Sequence, residues 1–181
     1  MLLETPGCDF GDPAPQFRLP DAHGQMHDLN DHLGPKGVLI AFICNHCPYV
    51  VAIADRLAAD ARLLMGEGIG VLAINSNDYS AYPADAPDKM PGFAEKYGFD
   101  FPYLIDADQT VARAYGAVCT PDFFGFSGDG LLQYRGRLDD ARMGDASARR
   151  PELVNAMRQI AETGAGPRDQ TPSMGCSIKW R

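Results

Sequence analysis

Six consecutive apolar residues, Val38 to Ile43, run straight into Cys44-Asn45-His46-Cys47-Pro48, and beyond them the apolar positions fall at Val50, Ala54, Leu57, Ala61 and Leu64. An unbroken apolar run reads as a strand covered on both faces, and the later spacing reads as a helix. The chain therefore passes from an interior strand to a helix through two cysteines, with Cys44 at the strand end and Cys47 in the helix's first turn. First-turn N–H groups lack helical partners and the helix dipole is positive there, so a sulfur at this junction is expected to ionise early, with a pKa of roughly 3.5–7.5. Pro48 has no N–H to lose and a φ suited to a helix start, which stiffens the turn. His46 is expected to be exposed between the cysteines, tuning the redox potential by its charge.

A C-x-x-C pair also serves as half of a structural zinc site, which needs a second Cys or His pair at short spacing. Cys8, Cys119 and Cys176 are single and far apart, and His23, His27 and His32 lie upstream. The strand-to-helix context favours a redox dithiol, and a thiolate metal-binding module using Cys44, Cys47 and Cys119 or Cys176 stays open as the alternative.

The remaining chain builds an α/β domain around this junction. Pro-rich residues 11–33 carry a turn at Asp21-Ala22-His23-Gly24 between extended pieces near Gln16–Leu19 and Gln25–Asp28, an N-terminal β-hairpin. Val38–Ile43 and Ile69–Ile74 with the helix between them form a right-handed βαβ unit. Chemistry in such sheets gathers beyond the strand carboxyl ends, so the loop Asn75-Ser76-Asn77-Asp78 should neighbour the cysteines. A proline-rich loop over Tyr79–Pro91 follows, then a short helix at Gly92–Tyr97, a strand at Tyr103–Ile105 and a helix at Gln109–Tyr115. Phe123–Phe126 and Leu131–Arg135 form a hairpin, and Pro151–Thr163 a last helix. The expected division is a domain over 1–164 and a tail over 165–181 that packs back to cover Ile178 and Trp180.

The formal charge of −8 argues against nucleic acid or an anionic membrane as partner, and no run approaches the ~18 apolar residues of a membrane span. The start has no basic n-region followed by an apolar stretch, and five cysteines show no framework spacing, so a reducing, cytoplasmic setting is expected.

Strand order, the dithiol at the first βα junction and Cys119-Thr120-Pro121 opening a later strand together resemble the thioredoxin fold. Residues 13–24 look like the leading hairpin of peroxiredoxins and of cytochrome-maturation thiol oxidoreductases. Cys44-Asn45-His46-Cys47-Pro48-Tyr49-Val50, Asn75-Ser76-Asn77-Asp78, Tyr115 to Phe124, Tyr134-Arg135-Gly136-Arg137 and Gly175-Cys176-Ser177-Ile178-Lys179-Trp180 are similar to peroxiredoxin-like (AhpC/TSA-like) thioredoxin-family proteins of bacteria. The resemblance implies a thioredoxin-like α/β fold, a central mixed sheet flanked by helices, with an N-terminal hairpin extension. It also implies thiol–disulfide exchange in cell redox homeostasis, with Cys44 attacking, Cys47 resolving, and Pro121 as a cis-proline whose preceding backbone pairs with the substrate. A thiol peroxidase reacting through Cys47 or Cys44 is the alternative. Two positions depart from the relatives: thioredoxins carry a Trp before the first cysteine and a buried Asp six residues before it, where this chain has Ile43 and Val38. The hydroxyl that peroxiredoxins place three residues before their reactive cysteine becomes Cys44 when Cys47 is aligned there.

The expected partners are a protein or small-molecule disulfide or a peroxide, and a separate reductant; no cofactor or metal is expected. Auxiliary candidates are His46, Thr120, Asn75 and Asn77, with Cys119 as a third thiol or a small buried hydrophobe, and Cys176 as an extra resolving thiol or part of a structural cap. Arg135 and Arg137 alternate on one strand and are expected at the surface in salt bridges, with thiolate stabilisation by Arg135 as the functional alternative.

Overall fold

A computed structural model describes Met1 to Arg181. The elements in chain order are β1 (Leu2–Glu4), β2 (Arg18–Pro20), β3 (Met26–Asp28), β4 (Val38–Phe42), α1 (Pro48–Val51), α2 (Ala54–Gly66), β5 (Gly70–Asn75), α3 (Met90–Tyr97), β6 (Tyr103–Ile105), α4 (Thr110–Tyr115), β7 (Cys119–Thr120), β8 (Asp122–Phe126), β9 (Leu132–Tyr134), α5 (Glu152–Thr163) and β10 (Met174–Ser177). The apolar runs do become the interior of a sheet, ordered β6-β5-β4-β8-β9, parallel across β6-β5-β4 and antiparallel across β4-β8-β9. Alternation within β4 divides the core in two. Leu39, Ala41 and Ile43 face the cluster built with α2 and α5, through Leu57, Ala61, Leu64, Leu153 and Met157. Val38, Ile40 and Phe42 face α4 and the N-terminal hairpin, through Val111, Ala112, Tyr115, Leu19 and Leu29.

The helix after the cysteines is broken rather than continuous. Ile53 leaves the helical path (φ −113°, ψ −3°) between α1 and α2, and the β-branched residues Val50, Val51 and Ile53 give this stretch little intrinsic helical preference. Cys47 caps the helix instead of lying in its first turn, with an extended backbone (φ −69°, ψ 122°), because Pro48 takes the first helical position. Its carbonyl accepts the N–H groups of Val50 and Val51 at 3.0 Å.

The tail is an integral part of the fold. β10 lies between β1 and β7 in a second, three-stranded sheet, pairing Cys176 with Leu2 on one side and Thr120 on the other. Ile178 is buried in the core, whereas Trp180 stays 39% exposed, its ring covered on one side by the Arg113 guanidinium at 4.4 Å. Gln109 fastens the chain end: its amide donates to the Ser76 and Lys179 carbonyls at 2.8 Å and its oxygen accepts the Arg181 N–H. No helix is long and apolar enough to cross a membrane.

Candidate active site

β4 delivers Cys44 and β7 delivers Thr120 to the same point. The Cys44 Sγ lies 3.4 Å from the Thr120 hydroxyl, and the Cys47 Sγ lies 3.2 Å from the Thr120 carbonyl, which accepts its proton when it carries one. The Thr120–Pro121 peptide is cis, as the resemblance implies. Both sulfurs are buried, Cys44 1% and Cys47 0% exposed, so the dithiol is covered in this arrangement.

The cover has two parts. One is the proline-rich loop expected over Tyr79–Pro91, which forms two 3-10 turns, Pro83–Asp85 and Pro87–Lys89. Asp85 is fully buried and points at the dithiol turn. Its carboxylate accepts the backbone N–H of Asn45 (2.8 Å) and His46 (3.2 Å), the Asn77 amide (2.9 Å) and the His46 Nδ1. Asn75 donates to the Asp85 carbonyl at 2.9 Å, and the Tyr103 hydroxyl donates to the Asn45 side-chain oxygen at 2.9 Å. Asn75 and Asn77 do neighbour the dithiol turn, and both act on Asp85, Asn75 through its backbone carbonyl and Asn77 through its carboxylate. His46 is half-buried rather than exposed, bonded to Asp85 and stacked on Tyr82 with ring centroids 5.6 Å apart. The thioredoxin-type buried acid missing at Val38 has a counterpart here, brought from a loop on the other side of the turn. Its signal in the sequence is a lone Asp between prolines, next to Asn75-Ser76-Asn77-Asp78.

The second part is β10. Cys176 pairs in register with Thr120, whose carbonyl the Cys47 sulfur contacts, and packs against the buried cluster that holds both cysteines. The Cys47 sulfur, like that of Cys44, lies against Thr120. Its pKa is drawn far below the ordinary thiol value by the hydrogen bond from Cys44 and then by those from Cys176 and Thr120, which together outweigh its burial. The Cys44 thiol is pushed up for the complementary reasons: its proton is committed to Cys47, it is buried, and the Asp85 charge is close. Within this pair the hydrogen bonding favours the thiolate on Cys47 over Cys44. Burial pushes Cys176 up to about 11.

Two candidates lie away from this centre. Cys119 is buried behind Pro121, its thiol 3.7 Å from the Pro121 carbonyl and its pKa raised by burial. Arg135 is a core residue, 5% exposed, not a surface one. It lies one residue past the end of β9, not on the strand as expected, bonds the buried Asp122 carboxylate at 2.9 Å and the Gly116 carbonyl, and covers the Phe124 ring at 4.5 Å. Arg137 lies past the strand end and bridges Glu152 at 2.8 Å. For a metal, Cys44, His46 and Asp85 offer donor atoms all within 4.8 Å of one another, but a cation there would have to take Asp85 from its four present donors.

The AhpC/TSA family model matches residues 10–135. Peroxiredoxin Bcp of Escherichia coli K12 is 31% identical over 121 residues, spanning 67% of this chain and 72% of its own. Thiol-disulfide oxidoreductase ResA of Geobacillus thermodenitrificans is 32% identical over 127 residues, spanning 68% and 67%. The crystal structure of a hypothetical protein from Sinorhizobium meliloti 1021 superposes with a TM-score of 0.93 at 40% identity over 98% of each chain.

Proposed function

The chain belongs to the AhpC/TSA family, and from that premise we propose that it is a thiol–disulfide oxidoreductase working through the Cys44/Cys47 dithiol. The observation that carries the reading is the pair itself: two buried sulfurs three residues apart, both set against Thr120 next to the cis-proline. Cys47, the charged sulfur, attacks a disulfide R–S–S–R′. A Cys47–S–R bond forms and R′S⁻ leaves. With its charge gone, Cys47 no longer holds Cys44 protonated. Cys44 loses its proton to the departing thiolate and attacks the Cys47 sulfur. The Cys44–Cys47 bond forms and RS⁻ leaves, so the substrate gains two electrons and the protein gives up two. A thiol reductant then returns the dithiol. Asp85 keeps the turn in place through the Asn45 and His46 N–H groups, and its charge opposes ionisation of Cys44.

Peroxide reduction by Cys47 is the second reading, favoured by the same lowered pKa and by the likeness to Bcp. Against it, the guanidinium of Arg135 is committed to Asp122 and Gly116 rather than to a sulfur. Turnover of glutathione disulfide, measured beside turnover of hydrogen peroxide with one dithiol reductant, separates the two. Disulfide turnover that vanishes in both Cys44→Ser and Cys47→Ser is expected. Peroxide turnover that is faster and survives Cys44→Ser would replace this reading with the peroxidase.

A further inference from the structure

The C-terminal strand approaches the dithiol more closely than a structural cap requires. Gly175 lies directly on the Thr120–Pro121 peptide: a Cβ at Gly175 would fall 1.9 Å from the Thr120 carbonyl oxygen and 3.0 Å from the Pro121 nitrogen. Only glycine permits that contact, and the contact is what brings the next residue, Cys176, level with Thr120. Ser173 clamps the strand at the next peptide along, its hydroxyl donating to the Pro121 carbonyl at 2.8 Å. The sulfur so delivered packs against the cluster that holds Cys44 and Cys47, beside the Thr120 carbonyl that the Cys47 sulfur contacts. Of the three sulfurs, Cys44 and Cys47 are buried and Cys176 is part-exposed.

We propose that Cys176 is a third redox sulfur, which takes Cys47 over from Cys44 and carries the disulfide outward. The proposal rests on the dithiol reading above. Cys176 gives its proton to solvent and its thiolate attacks the Cys47 sulfur of the Cys44–Cys47 disulfide. The Cys47–Cys176 bond forms, the Cys44–Cys47 bond breaks, and its electron pair leaves on Cys44, which takes up a proton. No electrons enter or leave: the disulfide only moves, from a buried position to one that a reductant thiol can reach at Cys176. The strand occupies the edge of Thr120 that the thioredoxin resemblance gives to the substrate, so the tail is an internal substrate held in register by Gly175.

The test is disulfide mapping by acid quench, alkylation and peptide mass spectrometry after oxidation with glutathione disulfide. In wild type, both Cys44–Cys47 and Cys47–Cys176 bonds are expected; in Cys44→Ser, the Cys47–Cys176 bond becomes the main product. In Gly175→Ala, which keeps all three sulfurs but lifts the strand, the Cys47–Cys176 bond is lost and Cys44–Cys47 remains. Quantitative alkylation of Cys176 in oxidised wild type, or a Cys44→Ser protein in which Cys47 is found only as a glutathione mixed disulfide, would overturn the proposal. The dithiol reading fails separately, by absence of the Cys44–Cys47 bond in Cys176→Ser.

Discussion

At the scale of single residues the account turns on where charge sits. Cys47 is lowered by hydrogen bonds first from Cys44 and then from Cys176 and Thr120. A thiol with a depressed pKa is ionised above its folded value and loses that charge only as the pH falls through it. Thiolate absorbance of the reduced protein should therefore show one ionised sulfur at neutral pH that persists on acidification toward pH about 4, and Cys47→Ser should abolish it. Retention of the signal in that variant, with loss in Cys44→Ser, would put the charge back on Cys44. Asp85 opposes ionisation of Cys44, so Asp85→Asn, which keeps an acceptor for the Asn45 and His46 N–H groups, should speed alkylation of Cys44 at alkaline pH in a Cys47→Ser background; an unchanged Cys44 rate would leave Asp85 a purely structural role. Arg135 makes the opposite kind of pair, a buried one remote from the sulfurs. Arg135→Met leaves the Asp122 carboxylate buried without its partner and should cost about 3–5 kcal/mol of stability in urea unfolding, much of which Asp122→Leu in the same chain should recover. The two cysteines, Thr120 and Pro121 are legible in the sequence because each sits at a boundary between periodic segments. Asp85 is not, because what makes it part of the site is a fold of the 83–89 loop with no periodicity of its own.

At the scale of elements, β4, β5, β8 and the helices α2 and α5 follow from apolar spacing, and they alone fix where the dithiol turn must be. The break between α1 and α2 and the pairing of β10 do not. The first is decided by β-branched residues drawn into the core, and the second by long-range pairing of a four-residue strand whose own composition, Met174-Gly175-Cys176-Ser177, is too short and mixed to read. Gly175 is the element-scale switch. Its replacement by Ala should leave the five-stranded sheet intact but shift β10 off β7, which amide hydrogen exchange would register as faster exchange confined to β1, β7 and β10. Exchange unchanged in those strands would mean that the close approach to Thr120 is relieved elsewhere.

For the molecule as a whole, the N terminus, the C terminus and the cis-proline strand meet in one sheet over the dithiol, so stability and chemistry share a lid. Deleting residues 171–181 removes the buried Ile178, worth about 1.5–3 kcal/mol, and should lower Tm by roughly 5–10 °C in a chain of this size. It should also leave Cys44 and Cys47 open to alkylation at rates far above those of the intact protein, whereas unchanged labelling would mean that the loop carrying Asp85 is the whole of the cover. The most direct measurement of the central claim is a redox titration of the intact protein in glutathione buffers, followed by the alkylation state of the peptide holding both Cys44 and Cys47. The account predicts that the two sulfurs lose reactivity together, in one reversible two-electron transition, and regain it together on reduction. A peptide that remains doubly alkylated across the whole range would contradict it.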